Sequence, residues 1–102
     1  MFVGGTAPQM PDGADPPTGA YEQAQRCLEI IRVALADAGA TPADVVRTLV
    51  YVSGREHIAE VMRAHGETFG DARPACTGLV VELLDPRWLV EIEVEAILPG
   101  SP

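Results

Sequence analysis

Aromatic side chains are scarce in this 102-residue sequence, at 5%, and basic ones are outnumbered, seven Lys and Arg against fifteen Asp and Glu. The net charge of −8 disfavours electrostatic binding to nucleic acid or to an anionic membrane surface. The interleaved aromatic and basic residues of an RNA-binding face are missing as well. No apolar run approaches the length of a bilayer span, and the first thirteen residues lack the charged start and long apolar stretch of a signal peptide. Cysteine is limited to Cys27 and Cys76, far apart and outside any CxxC or other metal-ligand spacing. With no export signal in view, reduced thiols in the cytoplasm are the expectation, and a single stapling disulfide is the lesser alternative. His57 and His65 make no metal pair and no HExxH, so a packed or half-exposed role is expected for both. Gly4-Gly5 carries none of the remaining residues of a phosphate loop. No metal or organic cofactor is implied.

What remains is ordinary globular composition, 47% hydrophobic and 22% charged. One domain over residues 1–102 is just long enough for a sheet with helices on one face. Phe2–Thr6 is short and β-capable, and glycines inside it, Gly4 and Gly5, mark a bulge or a close approach to the backbone. Met10–Thr18 is a proline-rich surface loop. From Ala20 to Ala38 the residues Ala24, Cys27, Leu28, Ile31 and Leu35 recur at helical spacing, with Gly39 as the stop. Cys27 lies on that stripe and reads as core. Thr41-Pro42-Ala43-Asp44 has the composition of a capped helical turn, and Val45–Val52 is rich in branched and aromatic residues, hence a strand. Ser53-Gly54-Arg55-Glu56 is a capping-box signature opening a second helix to about Phe69, with Ile58, Val61, Met62, His65 and Phe69 inside. Strands follow from Ala75 to about Leu84 and from Leu89 to Leu98, separated by Asp85-Pro86-Arg87. That short link predicts an antiparallel hairpin for the last two strands, while both helices cross over between parallel strands.

The order is therefore β-α-β-α-β-β, an α+β (α/β-like) single mixed sheet with both helices on one face. In Val45–Val52 one parity carries Val46, Thr48, Val50 and Val52, and the other Val45, Arg47, Leu49 and Tyr51. In the next strand Thr77, Leu79, Val81 and Leu83 oppose Cys76, Gly78, Val80 and Glu82. Neither parity is consistently polar, so both faces want cover. Two helices cover only one. Another copy of the same chain is the simplest cover for the other.

Several short segments together resemble the Rid family, the YjgF-type reactive intermediate deaminases also labelled endoribonuclease L-PSP-like. They are Val3-Gly4-Gly5-Thr6, Gln23-Ala24-Gln25, Ala38-Gly39-Ala40, Asp44-Val45-Val46-Arg47-Thr48, Phe69-Gly70, Arg73-Pro74-Ala75-Cys76-Thr77 and Val90 to Ile97 with its alternating glutamates. The resemblance spans nearly the whole chain. It implies a homotrimer whose sheets line a barrel-like core, with three small-molecule clefts between subunits. In deaminating members a cleft arginine holds the carboxylate of a small enamine or imine, and a last-strand glutamate positions the hydrolytic water. This sequence departs from that pattern. Cys76 stands where the arginine would be, and no cysteine supplies a guanidinium's bidentate fork. Gly4 replaces a cleft serine, Met62 an asparagine, and the family's N-terminal strand has no counterpart.

Glu93 matches the family glutamate and is the expected polar participant, whereas its neighbours Glu91 and Glu95 read as a solvated strand face. Cys76 is either a nucleophile or, in the preferred reading, a residue that shapes the pocket. Arg73, three residues before it, is a replacement anion anchor or an ordinary surface arginine. Thr77, Gly4, Gly5, Met62 and His65 complete the expected binding residues. The function expected is binding, and hydrolysis, of a small imine, enamine or carbonyl metabolite between subunits. A non-catalytic ligand-sensing or chaperone-like trimer and a specialised biosynthetic role with a rebuilt cleft are the alternatives.

Overall fold

Two periodicities divide the chain into its elements. The computed structural model describes residues 1–100. Strand β1 is Phe2–Thr6, helix α1 Ala20–Asp37, strand β2 Val45–Val52, helix α2 Ile58–Phe69, strand β3 Ala75–Val80 and strand β4 Val90–Ala96. Helix α1 stops because Gly39 takes φ +82, the left-handed region open to glycine, and the Ala40 N–H turns back to the Leu35 carbonyl at 2.8 Å. At the entrance to β2 the Asp44 carboxylate accepts the Thr41 N–H at 2.8 Å, the reach-back half of a capping box. The capping box expected at Ser53 to Glu56 does not form. Gly54 sits at the N-cap of a short 3₁₀ turn, Arg55–His57, without a side-chain cap, and α2 begins only at Ile58. A glycine at that position has no oxygen to offer, and the serine falls one residue too early.

The four strands lie in the order β1-β4-β2-β3. β4 runs antiparallel to both β1 and β2, and β3 is parallel to β2. The predicted architecture holds, one mixed sheet with two helices. The predicted hairpin between the last two strands does not. β3 ends at Val80, not Leu84, and the chain then passes the end of β2. There the Val81 N–H donates to the Val52 carbonyl at 2.9 Å and the Ser53 N–H to the Leu89 carbonyl at 3.0 Å. The route delivers β4 to the far side of β2, where all four of its apolar side chains can be buried.

The core lies between the helices and one face of this sheet. Cys27, Ile31 and Leu35 of α1 and Val61 and Phe69 of α2 pack with Val50 and Val52 of β2 and with Val90, Ile92, Val94 and Ala96 of β4. The ladder between β2 and β4 shifts between Val45 and Arg47. Val45 thereby joins the buried face and Val46 turns outward, 41% exposed, which reverses the parity expected for those two residues. Gln23, 1% exposed, ties three segments together. Its amide Nε2 donates to the Pro17 and Arg87 carbonyls at 2.7 and 2.9 Å, and its Oε1 accepts the Leu89 N–H at 2.8 Å. None of the helices is long and apolar enough to cross a membrane, among the described residues.

Candidate functional site

Among the described residues, nothing covers the face of the sheet away from the helices. Strand pairing assigns its side chains, because residues in register share a face. Arg47, Leu49 and Tyr51 of β2 lie beside Glu95, Glu93 and Glu91 of β4 on one side and beside Ala75, Thr77 and Leu79 of β3 on the other. Every residue of β3 is exposed, with Leu79 at 43%. The three carboxylates of β4 are only half-exposed.

The register between β1 and β4 is broken beside Glu93. Val3 pairs with Val94 and Thr6 with Ile92, so Gly4 and Gly5 together occupy the space of one residue opposite Glu93. The Thr6 hydroxyl donates to the Gly4 carbonyl at 2.9 Å within this bulge. A Cβ at Gly5 would fall 2.3 Å from the Glu91 carboxylate, the end of a flexible side chain that would have to swing aside, whereas nothing lies within 4 Å of a Cβ at Gly4. The result is a row across the open face of glycine backbone, carboxylate, Leu49 and Thr77. Bulges of this kind re-aim side chains at sheet edges and beside functional sites.

The three glutamates differ in what holds them. Glu91 folds over Gly5. Glu95 faces the Arg47 guanidinium at a loose 3.9 Å. Glu93 accepts a hydrogen bond at Oε1 from the Tyr51 hydroxyl, 2.5 Å away. That donation to a carboxylate favours the protonated phenol and holds the Tyr51 hydroxyl above its ordinary pKa of 10.0.

The opposite face carries a second set of the predicted residues. Thr48, fully buried, shares a hydrogen bond of 2.8 Å with Nε2 of His65. His65 packs edge-on against Phe69 with ring centroids 5.0 Å apart, and its burial pushes its pKa down from 6.5. A neutral, buried, hydrogen-bonded histidine is a core residue here. Met62 lies on the same helix, packed against the core. Cys76 is in register with Thr48 and therefore on this face, at the sheet's edge, as a free and exposed thiol. Cys27 is buried, and desolvation pushes its thiol up to about 12. Arg73 is exposed at φ +48, where its N–H closes the end of α2 on the Phe69 carbonyl at 3.0 Å. Helix termination accounts for that backbone conformation. Among the described residues, no group of three or more His, Cys, Asp or Glu side chains could hold a metal ion.

Comparison with known proteins now bears on this arrangement. Residues 1–98 match the sequence profile described as Endoribonuclease L-PSP. The chain belongs to the endoribonuclease L-PSP family. A RutC family protein of Pyrococcus abyssi is 33% identical over 97 residues, covering 94% of this chain and 76% of that protein. Among solved structures, a YjgF-family member from Mycobacterium tuberculosis superimposes with a TM-score of 0.83 at 37% identity, over 95% of this chain and 77% of that one. A protein of the Rid family from Yersinia pestis gives 0.85 at 31% identity, over 96% and 77%. Within this L-PSP fold the predicted residues divide by face. Glu93, Thr77, Gly4 and Gly5 share the open face. Met62, His65 and Cys76 lie on the helix side, and Arg73 in the loop before β3. Cys76 and Glu93 thus stand on opposite faces, with β2 between their strands.

Two further features escaped the sequence. Tyr51 becomes a neighbour of Glu93 only when β4 lies beside β2, which the expected hairpin did not allow. A surface cavity of about 570 Å³ lies away from Glu93. It lies beyond the end of β3, among Ser53, Val80, Leu83, Leu84, Pro86 and Trp88. Its only signal was the apolar run through Leu84 into a supposed turn.

Proposed function

We propose that this L-PSP family chain acts as a cytoplasmic homotrimer of single domains that binds and hydrolyses a small imine or enamine metabolite at clefts between subunits. The observation that carries the reading is the Glu93 carboxylate. It is half-buried, held by one neutral donor, and set beside a glycine bulge on a sheet face that the chain leaves uncovered. A second copy over that face would exclude water around Glu93 and complete a cleft. It is also the way to bring Cys76 near a Glu93, since the two occupy opposite faces of one sheet.

In the proposed reaction an enamine first tautomerises to its imine, a proton moving from nitrogen to the β-carbon. Water then adds across C=N, its proton passing through Glu93 to the nitrogen. The carbinolamine then expels ammonia as its hydroxyl proton leaves by the same carboxylate, and a carbonyl compound remains. Arg73 supplies the anion anchor where the substrate carries a carboxylate, and Cys76 shapes the pocket. The test is turnover of freshly generated 2-aminoacrylate and related imines. Glu93→Gln is expected to abolish hydrolysis, and unchanged turnover in that variant would show the mechanism to be wrong.

Cys76 itself favours a second reading, a non-catalytic ligand-sensing or chaperone-like trimer, because the family arginine it replaces is the group that would bind a carboxylate. Inertness of the wild-type chain toward the whole imine panel, with a ligand or partner retained on purification, would support that reading. The open space at Gly4 favours a third, a biosynthetic role on a larger substrate lacking a carboxylate, which the same panel extended to bulky uncharged imines would reveal.

A further inference from the structure

Three carboxylates alternate along β4 on the open face, yet they are not equivalent. Glu95 has a cation beside it in Arg47. Glu91 is drawn toward β1, over the backbone of Gly5. Glu93 has a neutral phenol for its partner and not a guanidinium. The partners of the three carboxylates therefore set Glu93 apart from its neighbours. They also show what fixes it.

Tyr51 is in register with Glu91, and Glu93 with Leu49. The phenol therefore crosses the ladder diagonally to reach Glu93, a span within range of an aromatic side chain and beyond a short one. An apolar ring alone would serve this half-buried position on the sheet equally well, so the hydroxyl is the informative atom. It occupies Oε1 of Glu93. Without it, the carboxylate would have only solvent to settle its rotamer between two like-charged neighbours on the same strand.

We propose that Tyr51 is the positioning residue for Glu93, its hydroxyl holding Oε1 so that Oε2 faces the open side of the sheet to accept from the attacking water. The proposal rests on the reading of Glu93 as the proton acceptor. Tyr51 touches neither substrate nor water in this scheme. It acts through the glutamate.

The experiment uses the full chain, labelled at the tyrosine ring carbons, as wild type, Tyr51→Phe and Glu93→Gln, with 2-aminoacrylate as the kinetic probe. Tyr51→Phe identifies the Tyr51 resonance by its loss. In wild type that resonance is expected to titrate above an ordinary tyrosine, and in Glu93→Gln its midpoint is expected to move down. An unmoved midpoint overturns the contact and the proposal with it. Where the wild type turns over 2-aminoacrylate, Tyr51→Phe is expected to lower kcat by roughly tenfold, the worth of one hydrogen bond to a charged group, with KM little changed. A purely structural tyrosine would lower the melting temperature and leave that split unseen, and an unaltered kcat overturns the proposal. Should the wild type prove inert, the hydrolytic reading falls by itself. The positioning of Glu93 is then decided by the titration alone.

Discussion

Burial sets the chemistry of two core side chains, His65 and Cys27. His65 is the clearest case, its pKa lowered from 6.5 by desolvation while Thr48 holds Nε2. The unfolded chain therefore takes up the proton first as pH falls. Stability is complete above the unfolded value and is lost as pH drops through about 6.5 toward the lower folded value. The melting temperature is expected to fall between pH 7 and 5.5, before most carboxylates titrate. His65→Gln, which keeps a partner for Thr48, is expected to flatten that decline, and an equally steep decline in the variant would place the titrating group elsewhere. The two thiols differ by the same physics. Cys27 is buried and pushed up to about 12, whereas Cys76 is exposed. Because the thiolate is the reactive form, iodoacetamide at pH 8 should modify one thiol per native chain, and Cys76→Ser should abolish that reaction. Two thiols reacting at one rate would contradict the packing of α1.

Between elements, Gln23 does what no backbone hydrogen bond can. The proline-rich loop, the link after β3 and the start of β4 bring two carbonyls and one N–H to a buried point, and one primary amide satisfies all three. Gln23→Ala leaves those groups unpaired and is expected to cost about 3 kcal/mol in urea unfolding. A loss within the scatter of surface substitutions would show that water replaces the amide. The family resemblance picked out the segment Gln23-Ala24-Gln25, but its bridging role was not legible, since the partners of Gln23 are distant in the chain. Local order was far more legible. Helical spacing placed α1 and α2, branched and aromatic composition placed β2, and the glycines of β1 marked a bulge that the ladder confirms. Strand order was not, because it depends on which non-local pairing buries more. The Asp85-Pro86-Arg87 link looked like a hairpin turn, and β4 instead lies between β1 and β2. That one misplacement hid both the contact of Tyr51 with Glu93 and the separation of Glu93 from Cys76.

At the scale of the whole molecule, one sheet face is packed against helices and the other is left with Leu49, Tyr51 and Leu79 beside three carboxylates. Covering such a face with further copies of the chain removes apolar surface from water and favours association. Each copy also brings a net charge of −8, and like-charged copies repel. These opposed effects respond differently to salt. Repulsion between exposed charges is screened within about 8 Å at physiological ionic strength and reaches further in dilute buffer, while apolar burial depends little on dilute salt. Light scattering is therefore expected to give a trimer mass at moderate salt and a growing lighter fraction as salt is removed. Leu79→Asp adds a charge on the uncovered side of β3, where the chain's own fold loses almost nothing. It should shift the population to monomer at every salt concentration while leaving helical circular dichroism intact. A wild-type chain that remains a stable monomer at high salt would undo the proposal that this face is shared between copies. A trimer indifferent to Leu79→Asp would place the shared surface elsewhere, with the exposed Leu84 beyond β3 the next position to charge.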